Sequence, residues 1–358
     1  MKRIKKDNPN TQAYWNNIYS NELSKGIRRE NFDRFSLALD FISTGDKVLE
    51  VGCGKGEFFE FLDSKREIKY TGVDISDVAI QHNKKSFLKG VFEKGEVHSL
   101  PFVDNRFDKV IAMEVLEHID ALQEFSDEAK RVLKVGGKFI AILPYKNRID
   151  SSEHIWSFDL EDINKYFYSK ESKRWGKNHI IVEWTKKELV MDFDDFSEDN
   201  NNLDLLKALK KEIPNLKVTL FTVPSKCSKE FLREVLHHTW LELAVHGDKH
   251  THLECSTWTK EKTLEVLDKV EATGCYEKIF KPPFWAGSEG LYEALSERNY
   301  IVAQTPKAVV GDNIVYRLNE NSVHCHIQNV CNNGLEESFE YLKSLKGNNF
   351  KFISEIYE

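Results

Sequence analysis

Two histidines, His246 and His250, stand four residues apart behind the apolar run "LELAV". Four-residue spacing on a helical turn places two imidazoles on one side, within reach of a single ion. Two imidazoles with one carboxylate form a common facial set for a divalent metal that keeps positions open for water. A carboxylate is on offer in "ELVMDFDDF", where Asp192, Asp194 and Asp195 crowd the end of another apolar run. Crowded carboxylates repel one another unless a cation neutralises them. His237, His238 and His252 fit this geometry less well; they read as surface residues, with His252 a supporting group.

A second constellation lies in "VLEVGCGKGEFFEFL", which reads as strand, glycine turn and helix start. Gly52, Gly54 and Gly56 let the backbone turn sharply and approach a ligand. The spacing is G-x-G-x-G, which sets it apart from the dinucleotide fingerprint. The next strand ends in Asp74, whose carboxylate can accept hydrogen bonds from both hydroxyls of a ribose. His118 and His154 are candidate bases for an oxygen nucleophile. Trp156 and Phe158 offer a stacking wall.

These residues need strand ends to carry them. Over the first 145 residues, short β-rich runs ("KVLEVG", "IKYTGVDI", "FDKVIAME", "GGKFIAILPY") alternate with helical stretches at 56–65, 76–89 and 121–134. Such alternation predicts βαβ units around a mainly parallel sheet. A second series starts at "KELVMDF" and runs through "LKVTLFTV", "LELAVHG", "KIFKPPF", "YIVAQT", "NSVHCHIQ" and "FKFISEI". The stretch 146–180 shows no clear period and reads as the tail of the first domain. The division is therefore expected at residues 1–184 and 185–358.

Composition narrows the classes. Hydrophobic content of 41% and charged content of 30% suit an ordinary water-soluble chain of 358 residues. No apolar run approaches the ~20 residues of a membrane span. The basic start "MKRIKKDNPN" lacks the apolar segment of a secretory signal. Six cysteines (Cys53, Cys227, Cys255, Cys275, Cys325, Cys331) form no C-x-x-C pair, so a reducing cytoplasm is the expected location. Residues 1–184 hold 30 basic and 30 acidic side chains, and the net charge of -7 falls on the remainder. Neither half has the basic excess of a phosphate-tracking surface, which makes nucleic acid an unlikely partner.

The first half resembles the class I S-adenosylmethionine-dependent methyltransferases over roughly residues 10–160. It shows their E-x-G-x-G-x-G turn, an acid ending the second strand, "LPF…FD-V", and E-x-L-E-H after the fourth strand. The resemblance implies a Rossmann-like doubly wound domain with S-adenosyl-L-methionine as cofactor. Glu50, Gly52, Gly54 and Gly56 would line its methionine end, and Asp74 would hold the ribose. Ile75 would lie beside the adenine, Glu96 and Val97 near its amino edge, and Glu114 at the pocket mouth.

The second half, residues 187–358, resembles the polysaccharide deacetylases of the chitin and peptidoglycan deacetylase type. Their T-F-D-D-G stands as Asp192-Phe193-Asp194-Asp195-Phe196, and their H-[ST]-x-x-H as His246-Gly247-Asp248-Lys249-His250. R-P-P-Y-G stands as Lys281-Pro282-Pro283-Phe284-Trp285, and the L-L-H-D strand as "VHCHIQ". The resemblance implies a small distorted (β/α) barrel. Asp195, His246 and His250 would hold a divalent metal, zinc by resemblance, and Asp194 would be the base. His326 would be the acid to the leaving amine, with His324 second because period-two spacing puts it on the same strand face. Lys281 would replace the arginine that orients the base. Phe196, Gly247 and Trp285 depart from the pattern and bear on the shape of the sugar pocket.

The resulting expectation is an α/β, two-domain, bifunctional enzyme of surface-glycan or sugar-precursor biosynthesis. It would methylate from S-adenosylmethionine and N-deacylate an acetylated sugar. The alternatives are a methyltransferase with a non-catalytic carbohydrate-binding module, or two activities on a small metabolite or modified nucleotide.

Overall fold

The structure of the protein, a computed structural model, describes residues 2–29, 31–146, 152–167, 172–304, 313–327 and 334–357. Cys331 lies outside these residues. The chain divides into two compact units, Met1–Lys186 and Lys187–Glu358.

The first unit is built on seven strands: Lys47–Val51 (β1), Lys69–Asp74 (β2), Val91–Lys94 (β3), Phe107–Met113 (β4), Leu133–Pro144 (β5), Lys173–Trp175 (β6) and His179–Thr185 (β7). Their order is β3-β2-β1-β4-β5-β7-β6. The first five are parallel, and β7 is antiparallel to both neighbours. The central strands are apolar on both sides because helices cover both faces. Leu49, Val51, Val110, Ala112, Phe139 and Ala141 enter one core, while the alternating Val48, Ile111, Ile140 and Ile142 enter the other. The order reverses between β1 and β4, and a parallel sheet opens a crevice beyond its strand ends at such a switch point.

Three features of this unit differ from the expectation. "VFEK" forms β3 although only Phe92 of it is buried. The stretch 146–180 contains a helix, Leu160–Phe167, as well as β6 and the start of β7. Thr185 closes β7, and Lys186 Nζ donates to the carbonyls of Lys130 and Leu133, each at 2.9 Å. Both residues therefore belong to the first unit.

Among the described residues the second unit has eight strands: Glu188–Phe196 (β8), Val218–Thr222 (β9), Leu241–Val245 (β10), Ile279–Phe280 (β11), Ile301–Gln304 (β12), Val315–Arg317 (β13), Ser322–His326 (β14) and Asn349–Lys351 (β15). They are ordered β13-β12-β11-β10-β9-β8-β14, with β15 on the start of β8, and every pairing is parallel. Leu189, Met191 and Phe193 of β8 pack outward against Leu206 and Leu209 of the helix Leu203–Glu212 and Leu232 of the helix Lys229–Leu236. Val190 faces the other way and meets Phe221, Ala244, Ile279, Ala303 and Tyr316. One residue from each of six strands can share a cluster only if the sheet curls around it. The edge strands β13 and β14 are linked by Tyr316 Oη and Ser322 Oγ at 2.7 Å, and among the described residues no ladder joins them. The expected barrel is thus a curled sheet without that closing ladder, β13 being only three residues long. Among the described residues no helix is long and apolar enough to cross a membrane.

Candidate active sites

In the first unit, the turn after β1 and the chain leaving β4 flank the switch point and enclose a cavity of about 590 Å³. Gly52 has φ 75°, and a Cβ there would lie 2.5 Å from Val115 Cγ2. Only glycine lets the turn pass this close to the opposite wall. The amides of Gly52 and Cys53 donate to the Val73 carbonyl at 2.8 and 3.0 Å, tying the turn to the end of β2. Asp74 completes the tie by accepting from Gly54 N and Ser76 N, both at 2.9 Å. Burial raises the Asp74 carboxyl, and these amides oppose the rise. Glu50 is buried behind the turn and accepts from Tyr70 Oη. Burial pushes its pKa up to about 8, the Tyr70 bond working against that.

Glu50, Gly52, Gly54 and Asp74 line this cavity, as do Ile75, Glu96, Val97 and Glu114. Gly56 does not. It starts the helix Glu57–Asp63 at φ 81°, where a Cβ would meet the Phe87 ring at 2.6 Å; its constraint is packing. Glu114 sits at φ 56° beside Arg34 Nη1 at 2.9 Å and His179 Nε2 at 3.5 Å. Burial would raise its carboxyl, but His179 and Arg34 hold it below the ordinary range. His118 and His154 are walls of the cavity rather than packing beneath it. Burial first, and then His154, push His118 down to about 4. Trp15, Tyr19 and Arg29 also reach the cavity from the N-terminal segment, where no spacing in the sequence announced them.

In the second unit the polar residues collect where the strands of the curled sheet end. Alternation carries Val190, Asp192 and Asp194 to the inner face of β8. Two consecutive inward carboxylates need a break in the pleat. The register of β8 on β9 shifts between Phe193 and Phe196, and Asp195 takes φ 66°. Such a bulge re-aims a side chain. Asp195 Oδ1 then lies 2.8 Å from His250 Nε2 and 3.5 Å from His246 Nε2. Burial alone would raise the Asp195 carboxyl, yet the hydrogen bonds from His246 and His250 hold it far below the usual range.

His246 follows β10 directly, and its Nδ1 faces the Lys281 carbonyl at 2.9 Å. With Nδ1–H donating there, Nε2 keeps its lone pair on the side of Asp195. His246 and His250 do not share a helical turn, contrary to the expectation from their spacing. Gly247 at φ 68° and His250 at φ 58° break any helix. Glu254 holds the turn instead, accepting from the amides of Asp248, Lys249 and His250 at 2.9, 3.2 and 3.0 Å. A Cβ on Gly247 would lie 2.1 Å from Glu254 Oε1, which explains why no hydroxyl residue stands here.

Lys281 is fully buried, with Nζ 2.6 Å from Asp192 Oδ1, 2.7 Å from Asp194 Oδ1 and 3.9 Å from the Phe221 ring centroid. Burial favours its neutral form, but Asp192 and Asp194 outweigh that and raise its pKa. Burial likewise pushes Asp192 up, and Lys281 and His324 bring it below the ordinary range. His324 Nδ1 is 2.7 Å from Asp192 Oδ1, and its Nε2 is 3.7 Å from Asp194 Oδ2. The His326 ring is 5.4 Å from that of His324. Of the departures from the deacetylase pattern, Phe196 turns out of the site into the outer core and stacks on Phe231. Trp285 enters it, 5.6 Å from the His324 ring.

Asp195, His246 and His250 can hold a cation: their ligand atoms lie within 4.8 Å of one another. The donor set and the orientation of His246 fit a zinc-like ion. Asp194, His324 and His326 converge equally closely. There, however, the ammonium of Lys281 already bonds Asp194 and supplies the positive charge.

Comparison with known proteins bears on the first unit. Residues 49–141 match the methyltransferase domain family. The chain is 31% identical over 129 residues to 24-methylenesterol C-methyltransferase 3 of Arabidopsis thaliana, covering 33% of this chain and 36% of that protein. It is 31% identical over 103 residues to 27-O-demethylrifamycin SV methyltransferase of Amycolatopsis mediterranei, covering 27% and 38%. It is 35% identical over 120 residues to a phthiotriol/phenolphthiotriol dimycocerosates methyltransferase of Mycobacterium tuberculosis, covering 32% and 43%. The chain thus spans less than half the length of these relatives. With the glycine turn, the acid ending β2 and the switch-point cavity in place, the N-terminal part of this chain is a class I S-adenosylmethionine-dependent methyltransferase domain.

Proposed function

We propose a cytoplasmic, bifunctional enzyme that methylates in its first unit and removes an N-acyl group from a sugar in its second. The observation that carries the methyl transfer is the Gly52–Gly54 turn closed by Asp74 over the switch-point cavity. Bound S-adenosylmethionine supplies an activated methyl group on sulfur. The residues of the unit then bind and orient. Asp74 would accept from the ribose hydroxyls, Ile75 and Val97 would flank the base with Glu96 at its edge, and Glu50 would face the cationic methionine end.

The observation that carries hydrolysis is the inward pair Asp194 and Asp195 on the bulged end of β8. Asp195, His246 and His250 would hold a divalent metal, which supplies Lewis acidity toward a carbonyl and toward water. Asp194 would act as the base, its carboxylate held by Lys281 Nζ at 2.7 Å. His324 is our choice of proton donor to the leaving amine, because Asp192 fixes its Nδ1; His326 stands beside it. The sugar assignment rests on the resemblance to the deacetylases and on the exposed Phe284 ring, 5.4 Å from His250, where a sugar face can stack.

The test is a mass screen of N-acetylated sugar nucleotides and lipid-linked sugars, with and without S-adenosylmethionine. Loss of an acetyl mass reports the second unit, and gain of a methyl mass the first. His246→Ala should abolish metal binding at the Asp195–His246–His250 site of the second unit together with acetyl loss, while leaving S-adenosylhomocysteine binding intact, since two remaining ligands rarely hold a divalent ion. Acetyl loss at the wild-type rate in that variant sinks the metal assignment. A wild-type chain that binds metal and sugar without turnover makes the second unit a binding module.

A further inference from the structure

The wall of the methyl-transfer cavity carries a third cluster that the reading above leaves without a task. Glu117, His118 and His154 each offer one ligand atom, and these atoms lie within 4.8 Å of one another. Glu117 Oε1 is 3.9 Å from Nε2 of both rings. The Glu117 side chain is 1% exposed, and neither of its oxygens has a hydrogen-bond partner among the described residues. A buried carboxylate in that condition is costly unless a proton or a cation completes it.

The two histidines are set for the second option. His118 Nδ1 faces the Glu153 carbonyl at 3.3 Å. With Nδ1–H donating to that carbonyl, Nε2 presents its lone pair toward Glu117. The segment that brings His154 is fastened to the short helix Leu116–His118: Ile155 N donates to the Glu117 carbonyl at 2.9 Å. Asn10 Nδ2 adds a bond to the Glu153 carbonyl at 2.7 Å. Ligand atoms around one zinc-like ion stand about 3 to 3.5 Å apart, so the observed 3.9 Å closes by small side-chain rotations. His118 and His154 line the same cavity as Gly52, Gly54 and Asp74.

The geometry points to a divalent-cation site made by Glu117, His118 and His154, whose open positions face the cavity and take a hydroxyl oxygen of the methyl acceptor. Its chemistry rests on the methyltransferase reading; its ability to bind metal does not. Three protein ligands leave one position on a four-coordinate ion and a second when it expands to five, which suits a hydroxyl with a neighbouring oxygen, such as the vicinal diol of a sugar. The cation lowers the pKa of the bound hydroxyl, and the proton leaves to solvent. The oxygen lone pair then forms the bond to the methyl carbon as the carbon–sulfur bond breaks. That electron pair stays on sulfur, leaving a neutral thioether.

The test uses the full chain carrying His246→Ala, so that the proposed metal of the second unit is absent. After chelation, Co²⁺ is titrated and followed by its visible absorption and by equilibrium dialysis. We expect one bound Co²⁺ with a nitrogen-ligated spectrum. Adding Glu117→Gln, which is isosteric and neutral, should abolish it, as should His154→Ala. Calorimetry with S-adenosylhomocysteine shows in parallel that the first unit is folded. Absence of Co²⁺ binding in the His246→Ala chain while S-adenosylhomocysteine binds overturns the proposal, and so does Co²⁺ retained undiminished without Glu117. Co²⁺ binding that needs Glu117 in a chain that never binds S-adenosylhomocysteine keeps the cation site and rejects the methyltransferase reading instead.

Discussion

Both units put their polar residues at the ends of parallel strands, yet they build those ends from different materials. In the first unit the Gly52–Gly54 turn is shaped by backbone: amides tie it to Val73, and Asp74 ties it to Ser76. In the second unit the corresponding place is a lattice of side-chain charge. Lys281 bonds two aspartates, Asp192 bonds His324, and Asp195 bonds His250. A large cofactor that brings its own reactivity needs a shaped cavity. The amide hydrolysis proposed for the second unit would need charge fixed in advance, where reorganisation would be slow and costly. A second consequence follows for stability. Charges buried in the curled sheet hold the fold and the site at once, whereas in the glycine turn backbone amides shape the site and the buried Lys55, 3.0 Å from Glu22 and 3.2 Å from Glu57, anchors the turn to the fold.

The sharpest way to break this contrast is Lys281→Met. The change keeps the stem and removes the charge, leaving Asp192 and Asp194 uncompensated beside it. Removing one partner of a buried ion cluster costs about 3–5 kcal/mol, and the loss should appear in the denaturant transition of the second unit alone. Adding Asp192→Asn should recover part of it, because the neutral amide removes one of the stranded charges. A midpoint unchanged in Lys281→Met would show that the charge lattice serves chemistry only.

Among the buried ionisable groups of the first unit, Glu50 acts on stability in the opposite sense. Glu50 titrates near 8 in the folded chain, against 4.5 for an exposed glutamate. Its folded pKa is raised, so its contribution to stability is fully present below about pH 4.5. That contribution is lost as the pH climbs through about 8, because the unfolded chain ionises first. At ~1.4 kcal/mol per unit of pKa the loss is at most a few kcal/mol. Relative to Glu50→Gln, the wild type should lose melting temperature across that window, and S-adenosylhomocysteine, whose ammonium would face Glu50, should reduce the loss. Parallel pH profiles for the two proteins would remove Glu50 as the cause.

Asp74→Ala should be milder for the fold and specific for the ligand. The lost hydrogen bonds to the ribose should weaken S-adenosylhomocysteine binding by about 1.5–3 kcal/mol. Calorimetry reads this directly. An affinity equal to wild type would mean that Asp74 only ties the Gly54 amide.

How much of this was legible in the sequence follows the same contrast. The glycine turn could be read because a backbone-shaped site is contiguous: Glu50 to Gly56 lie in one strand–turn–helix. Asp194 and Asp195 could be read as a pair, and period-two alternation from Val190 already implied that Asp192 turns inward. What holds the histidines could not. Glu254 works by accepting three amides from a turn, and no residue-type pattern marks that role. The four-residue spacing of His246 and His250 suggested a helical turn because spacing alone does not reveal a left-handed backbone at Gly247. Strand β7, "HIIVEWT", is plainly β-branched, but as an antiparallel addition with no helix between it and β6 it breaks the βαβ rhythm that located the other strands. Strand β3 is hidden in the sequence because a four-residue strand with one buried side chain leaves almost no apolar signal.

The smallest expected effect concerns two aromatic residues, Phe284 and Trp285, that stand where the polysaccharide deacetylases resembled by the second half carry tyrosine and glycine. Phe284 and Trp285 both take left-handed φ, 56° and 58°, directly after two prolines. That conformation costs a side-chain-bearing residue roughly 1–2 kcal/mol, so two in succession are a feature the surrounding structure must enforce. The rings part company there. Trp285 turns inward, 5.0 Å from Lys281 Nζ and 5.6 Å from the His324 ring, while Phe284 remains 51% exposed over His250 and His252. An exposed ring at the rim of the charge lattice is suited to stack on a sugar face, worth about 0.5–1.5 kcal/mol. Phe284→Ala should therefore raise KM for the acetylated sugar roughly 3–10-fold at nearly constant kcat, the pattern of lost uniform binding. Phe284→Gly should show the same KM change with a slightly higher melting temperature, since glycine carries no cost at φ 56°. A fall in kcat at constant KM would instead make Phe284 a positioning residue for His250, and would move the boundary of the charge lattice outward to include its aromatic rim.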